Sequence, residues 1–353
     1  MINKILKVSD GSLYRFKKEE KTFLFNKFFL NLTKHHYKNC KLYRNILDNY
    51  KFKPSTKNIS NLPSLHVSLF KERELISVTK KNISSILLSS GTSTGNQSKI
   101  FVDRNTSVFQ KKVLSKIFKN NISEEKIPIF FLENQSILKN SNLMNAKSAA
   151  ISGFSLFGSK INFLLNEKKI INLDNFTRHL KNIKSNFLVF GFTYDVYENL
   201  IKNFNNKFDK SLFKKGILLH GGGWKKLESI KIKNLEFNKL LNNKFGFSKI
   251  INYYGLIEQA GSIFFTCKNN NFHTSFFSDI DILDKNLEIS EFNKKGIVQL
   301  KSLVPFSYPG HKIITEDIGM ILGEDNCSCG KMGKYFKIFG RIKKSPLRGC
   351  SNV

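Results

Sequence analysis

Long apolar runs are missing from this chain. None approaches the ~18 consecutive apolar residues of a membrane-spanning helix, so no membrane span is expected. The opening Met1-Ile2-Asn3-Lys4-Ile5-Leu6-Lys7-Val8-Ser9-Asp10 also lacks the apolar core of a signal peptide, and a cytoplasmic location is expected. Internal repeats and low-complexity linkers are absent. Acidic residues are scarce: 27 Asp and Glu stand against 58 Lys and Arg, a formal net charge of +31. That balance suits nucleic acid, an anionic membrane surface or an acidic protein. The lysines are spread along the chain among abundant Asn, Ile and Phe, as a genome-wide base bias would produce. No nucleic-acid motif of the usual kinds occurs, so nucleic acid is not an expected partner. An acidic carrier protein fits the sign of the surface better. Cysteine is few and odd in number, at 5, which argues against a disulfide framework.

What is present is a globular composition, 353 residues with 41% hydrophobic content, enough for a large core. The first 50 residues read as helical, with Phe23, Phe28 and Leu32 near helical spacing. Pro54 and Pro63 punctuate a loop. Residues 107–118 place Phe109, Val113 and Ile117 on one face of a helix. Apolar runs at 127–132, 187–192, 217–219 and 249–253 read as strands, separated by helical patterns at 194–204 and 235–245. Thr193 is placed to cap the first of these helices, and Gly246 to end the second. Strand–helix alternation predicts an α/β fold with mixed or parallel sheets covered by helices. From about residue 272 short strands and turns predict a smaller β-rich lobe.

One segment stands out: Ser89-Ser90-Gly91-Thr92-Ser93-Thr94-Gly95-Asn96-Gln97-Ser98-Lys99, just after the apolar Ile86-Leu87-Leu88. Glycine lets backbone approach a ligand, hydroxyls and N–H groups hold phosphate oxygens, and lysine adds positive charge. It is not the common phosphate loop, which has four residues between its first glycine and the Gly-Lys pair.

This segment resembles the phosphate loop of adenylate-forming enzymes, which activate a carboxylate with ATP as an acyl-adenylate. Four further segments agree in order. Leu219-His220-Gly221-Gly222-Gly223-Trp224-Lys225 looks like the glycine segment beside adenine. Tyr253-Tyr254-Gly255-Leu256-Ile257-Glu258-Gln259 looks like the Tyr-Gly-x-x-Glu segment. Thr315-Glu316-Asp317-Ile318-Gly319 looks like the ribose-binding segment, and Gly340-Arg341-Ile342-Lys343-Lys344 like the hinge. The upstream Pro63-Ser64-Leu65-His66-Val67-Ser68-Leu69-Phe70-Lys71 and the ending Arg348-Gly349-Cys350-Ser351 are similar to LuxE-type acyl-protein synthetases, relatives of phenylacetate–CoA ligase.

The resemblance implies the N-terminal domain of an adenylate-forming enzyme over residues 1–340, without the usual mobile C-terminal lobe and its lysine. Residues 341–353 would form a hinge-like tail carrying Cys350. The substrate would be a carboxylic acid, probable class fatty, and the cofactors ATP and Mg²⁺. Ser90, Gly91, Thr92, Ser93, Thr94, Gly95 and Lys99 would cradle the triphosphate. Glu258 would hold Mg²⁺, and Asp317 and Arg341 would reach the ribose or phosphate. Gly221, Gly222 and Gly223 would let adenine lie on bare backbone, with Tyr254 and Gly255 beside it. Phe154, Phe157, Phe190 and Phe192 are candidate acyl-pocket residues.

Cys350 matches the acyl-carrying cysteine of the LuxE type, and Lys343, Lys344 and Arg348 nearby would favour its thiolate. The acyl group would pass to a reductase, a transferase or an acyl carrier protein. Rival readings are transfer to CoA or a carrier, a binding protein that lost catalysis, and a basic nucleic-acid binder. Cys267, His273, Cys327 and Cys329 supply four N/S donors for a tetrahedral structural zinc, converging within roughly 4 Å. Buried or turn cysteines are the alternative. Cys40 carries no signal.

Overall fold

The computed structural model describes residues 1–342 apart from 55–58, 60, 90–96, 139–142, 203–208, 224–231 and 233. The expectations for Ser90, Gly91, Thr92, Ser93, Thr94, Gly95 and Cys350 therefore lie outside the described residues.

Three helices open the chain: α1 (Ile2–Val8), α2 (Lys18–Asn39) and α3 (Lys41–Asn49). In α2 the buried face is Phe25, Phe28, Phe29 and Leu32, whereas Phe23 is 70% exposed. The sequence reading put Phe23 on the core stripe; the Phe25–Phe29 pair, one helical turn apart and stacked at 5.4 Å, takes that role instead. Then come β1 (Leu65–His66), the single turn α4 (Leu69–Glu72), β2 (Ile83–Leu88) and β3 (Lys99–Asp103). Helix α5 (Arg104–Asn121) starts where the Asp103 carboxylate accepts from Thr106 N at 2.8 Å. It buries Phe109, Val113 and Ile117, the face the spacing predicted.

The next stretch alternates β4 (Ile127–Phe131), β5 (Leu143–Asn145), α6 (Ala146–Ser155), β6 (Gly158–Phe163), α7 (Leu173–Lys181) and β7 (Phe187–Phe192). Asn145 caps α6 through Lys147 N and Ser148 N, at 3.0 and 2.9 Å. After β7, the short α8 (Thr193–Val196) runs into a π-helical turn, Tyr197–Lys202. Thr193 does not cap it. Its hydroxyl lies 3.0 Å from His220 Nδ1 on the neighbouring strand, a tertiary bond that replaces the local one. β8 (Gly216–Gly221), α9 (Asn234–Phe245), β9 (Lys249–Tyr254) and β10 (Phe264–Phe265) complete this layer.

The central sheet has the order β10-β9-β8-β7-β4-β6. All its pairings are parallel except the edge pair β10–β9. Parallel strands carry helices on both faces, so β7 and β8 are apolar and buried along nearly their whole length. One face packs Leu188, Phe190 and Leu219 against α5 and α6, including Ile117 and Phe154. The other packs Val189 and Leu218 against Phe176, Phe237 and Leu241 of α7 and α9. Full burial of one phenylalanine such as Phe190 contributes about 1.5–3 kcal/mol. The candidate acyl-pocket residues Phe154, Phe157 and Phe190 are buried in the core: Phe154 meets Phe190 at 4.8 Å and Phe118 stacks on Phe157 at 4.3 Å.

A second sheet follows: β11 (Phe272–His273), β12 (Ser278–Leu283), β13 (Gly296–Ser302), β14 (Lys312–Glu324) and β15 (Lys334–Arg341). Its order is β11-β15-β14-β13-β12, antiparallel throughout, with β1 added in parallel beside β14. Helices α2 and α3 dock on this lobe through a buried polar cluster. His36 and His311 face each other at 4.7 Å, and His311 Nε2 lies 3.1 Å from Thr33 Oγ1 and 3.3 Å from Tyr43 Oη. A small sheet, β3-β2-β5, lies apart from both.

Candidate active site

The segments singled out in the sequence gather where the carboxyl ends of parallel strands meet the β-rich lobe, the position an α/β sheet gives its ligands. β2 and β3 are antiparallel and lead into and out of the Ser/Thr/Gly loop. Its stem is closed by hydrogen bonds: Ser89 N donates to Ser98 O (3.1 Å), Ser98 N to Ser89 Oγ (2.8 Å), and Gln97 Nε2 to Ser89 O (2.8 Å). Lys99 opens β3 and is exposed, with Glu74 among its charged neighbours.

Glu258 sits on a 3₁₀ turn, Ile257–Gln259, just beyond β9. The turn is fixed from below, because Gln259 Nε2 donates to Gly310 O at 2.9 Å. Glu258 is buried, with the Ser98 hydroxyl of the loop stem beside its carboxyl. Burial raises its pKa; Ser98 and the charges of Lys71 and Arg341 oppose that rise. A carboxylate of this kind, next to a hydroxyl at the stem of the Ser/Thr/Gly loop, fits Mg²⁺, which takes one or two carboxylates and completes its shell with water and phosphate.

Asp317 lies on β14, directly opposite Arg341 on β15. Tyr254 Oη donates to Asp317 Oδ2 at 2.7 Å, and Arg341 Nε stands 3.9 Å from Oδ1. Burial raises the Asp317 pKa, and the Tyr254 bond and Arg341 work against it. The sequence reading set Tyr254 beside adenine. Its ring packs against Phe264 and Phe272, and its hydroxyl orients the carboxylate. Gly255 packs against Ile263, where a Cβ would come within 2.8 Å.

The three glycines after β8 are not equivalent. A Cβ on Gly221 would strike the Tyr253 ring at 2.4 Å, and Gly222, at φ +79°, is closed by Phe192 at 2.9 Å. Among the described residues nothing lies within 4 Å of a Cβ on Gly223, so it is the residue of the three that leaves bare backbone for a flat ligand. Sequence reasoning missed Lys71 and Glu316. They pair at 3.8 Å at the margin of the same site, from segments too far apart in the chain for any motif to join.

A second constellation lies at the other end of the β14–β15 hairpin. Cys267, His273, Cys327 and Cys329 bring one donor atom each within 4.8 Å of one another. This span is wider than the roughly 4 Å read from the sequence, yet all four residues converge. Cys267 and His273 flank the turn that leads into β11, and Cys327 and Cys329 sit in the β14–β15 turn. Cys329 Sγ is 3.3 Å from His273 Nε2. Asn269 N and Nδ2 donate to Cys267 Sγ (3.4 Å) and Cys327 Sγ (3.6 Å), as N–H groups do around metal thiolates. Burial lowers the His273 pKa to about 3, keeping its imidazole neutral, the form that ligates a metal. Three thiols and one neutral imidazole fit a Cys₃His zinc site. The other described cysteine, Cys40, is buried and isolated from this group.

Among the described residues no helix is long and apolar enough to cross a membrane. The chain is 24% identical over 329 residues to the long-chain-fatty-acid–luciferin-component ligase of Aliivibrio fischeri, covering 90% of this chain and 84% of that protein. It is 26% identical over 147 residues to the Vibrio harveyi protein of the same description, covering 38% of this chain and 35% of that one. In fold it is similar to an open conformation of 2-hydroxyisobutyryl-CoA ligase in complex with 2-HIB-AMP and CoA. The TM-score is 0.73 at 12% identity, covering 94% of this chain and 77% of that one. The family described as acyl-protein synthetase, LuxE, matches residues 4–353, and the chain belongs to that family.

Proposed function

We propose that this protein activates a long-chain fatty acid with ATP and passes the acyl group to a protein thiol. The observation that carries the reading is the meeting of Glu258 with Ser98 at the stem of the phosphate-type loop, while Tyr254, four residues before Glu258, holds Asp317. One short segment thereby ties a metal-type carboxylate and a ribose-type carboxylate to one loop.

In the first step a carboxylate oxygen of the fatty acid bonds to the α-phosphorus of ATP. The bond from that phosphorus to the bridging oxygen breaks, and pyrophosphate leaves with the electron pair. Ser90, Gly91, Thr92, Ser93, Thr94, Gly95 and Lys99 cradle the phosphates with hydroxyl, N–H and ammonium donors. Gly223 lets the base lie on backbone. Asp317, oriented by Tyr254, accepts from the ribose hydroxyls, and Arg341 neutralises the anion beside it. Glu258 would hold Mg²⁺, which would spread the charge that builds on the phosphate oxygens. In the second step the Cys350 thiolate bonds to the acyl carbonyl carbon and AMP leaves. The thioester then supplies an acyl-accepting partner: a reductase, a transferase or an acyl carrier protein. A formal charge of +31 favours an acidic partner.

We also infer that Cys267, His273, Cys327 and Cys329 hold a structural zinc. No side chain is left over in this donor set for an open catalytic position.

The test is fatty-acid-dependent exchange of labelled pyrophosphate into ATP. Exchange that needs a long-chain acid and Mg²⁺ supports the reading. No exchange with any acid in a panel of chain lengths and aromatic acids refutes it.

A further inference from the structure

Lys71 is a cation beside the Glu258 and Glu316 carboxylates, and it comes from a segment that precedes the phosphate-type loop. The route is legible in the backbone. β1 pairs with β14 in parallel, Leu65 beside Ile313 and His66 beside Ile314, and Val67 N donates to Ile314 O at 3.0 Å. The chain therefore leaves β1 alongside the stretch that leads to Glu316 and Asp317. A single turn follows, closed by Arg73 N donating to Leu69 O at 2.9 Å. Phe70 anchors it, fully buried and edge-on to Tyr308 at 6.3 Å.

With Phe70 fixed inward, its neighbour Lys71 reaches Glu316. Nζ stands 3.8 Å from Oε1, and the two side chains are 19% and 25% exposed. The same charge acts on the Glu258 carboxyl. That 3.8 Å contact is longer than a hydrogen bond, so among the described residues Glu316 leaves the ammonium donors open to a closer anion. Need and supply also match. Glu258, Glu316 and Asp317 set three carboxylates around a site that must accept a polyphosphate. Arg341 is more than half exposed, so a sheltered ammonium is the stronger counter-charge.

Resting on the adenylation reading above, we propose that Lys71 is a further catalytic residue, whose ammonium leaves Glu316 to contact the phosphate oxygens of ATP during adenylation. It moves no proton. It stabilises negative charge as the carboxylate–phosphorus bond forms and the bond to pyrophosphate breaks.

The experiment is fatty-acid-dependent ATP–pyrophosphate exchange on the full chain as wild type, Lys71→Met, Lys71→Arg and Glu316→Gln, with Tm recorded for each. Lys71→Met should lose about 10²-fold in kcat, the scale of deleting one donor that faces transition-state charge. The KM for the fatty acid should stay within about threefold, because uniform acid binding is untouched. Lys71→Arg should recover at least about a tenth of the wild-type rate, since charge survives while geometry shifts. Glu316→Gln should lose at least about tenfold less than Lys71→Met, because a partly exposed pair contributes little. Lys71→Gln replaces the methionine variant if that one does not fold.

Wild-type exchange with an undiminished Lys71→Met overturns this proposal and leaves the adenylation reading standing. A Glu316→Gln loss equal to that of Lys71→Met also overturns it, by reducing the pair to a structural brace. Absence of exchange in the wild type overturns both.

Discussion

The β14–β15 hairpin carries a different chemistry at each end, and the two ends differ in how complete they are. At the open end Asp317 and Arg341 are register partners, 3.9 Å apart, with the arginine more than half exposed. At the turn end Cys327 and Cys329 meet Cys267 and a fully buried His273, with every donor atom inside 4.8 Å. The turn end is a closed set, whose four donors would fill the shell of a tetrahedral ion. The open end is unfinished. Its carboxylates are buried, their pKa values are raised by that burial, and its cations stand off at more than hydrogen-bond distance. Closed donor sets hold structure; open ones wait for substrate.

The largest separation of the two ends should come from Asp317→Asn. Exchange should fall about 10²–10³-fold, the loss expected for a positioned charged group at a reacting nucleotide, with no change in zinc content. Equal exchange in the variant and wild type would remove Asp317 from the site.

The reciprocal change is Cys327→Ser with Cys329→Ser. Zinc measured by elemental analysis should drop from one per chain to none, and Tm should fall by more than ~5 °C, because metal-binding energy at such a site is folding energy. Wild-type protein purified without zinc, at unchanged stability, would break the comparison.

Acid should also act on the joint between α2 and the β-rich lobe. Burial lowers His311 to about 3 and pushes His36 well below its ordinary value. The folded chain keeps both neutral, while the unfolded chain takes up protons below about pH 6.5. Stability from this pair is therefore full above about pH 6.5 and falls as pH drops toward the folded values, by about 1.4 kcal/mol per pH unit for each histidine. Urea midpoints at pH 7 and 5.5 should show that slope in the wild type and a shallower one in His311→Gln. Identical slopes would place the acid sensitivity elsewhere.

The smallest effect concerns orientation. Tyr254→Phe deletes the hydroxyl that holds Asp317 at 2.7 Å and should cost about 1–1.5 kcal/mol in nucleotide KM, or roughly tenfold. An unchanged KM would mean Asp317 needs no support from Tyr254.

The sequence revealed what is contiguous. The hydroxyl-rich loop, Tyr-Gly-x-x-Glu and Thr-Glu-Asp each lie within a few residues, and their chemistry is local. Strand and helix order was legible for the same reason, since β7, β8 and α5 show their periods directly. What stayed hidden depends on tertiary neighbours. Thr193 looked like a cap until His220 on the next strand took its hydroxyl. The ring contacts of Phe154, Phe157 and Phe190 join sheet and helices that are distant in the chain. The inequality of Gly221, Gly222 and Gly223 is set by Tyr253 and Phe192. Lys71 and Glu316 meet only because β1 joins β14.

The most direct measurement is the intact mass of the protein after incubation with ATP, Mg²⁺ and a long-chain fatty acid. The expected result is a gain of one acyl group that requires ATP and is removed by hydroxylamine. Cys350→Ser should lack that gain while still exchanging pyrophosphate, because a thioester needs sulfur and adenylation does not. A chain that exchanges pyrophosphate but never gains acyl mass, or a Cys350→Ser variant acylated as fully as the wild type, would contradict transfer to this thiol.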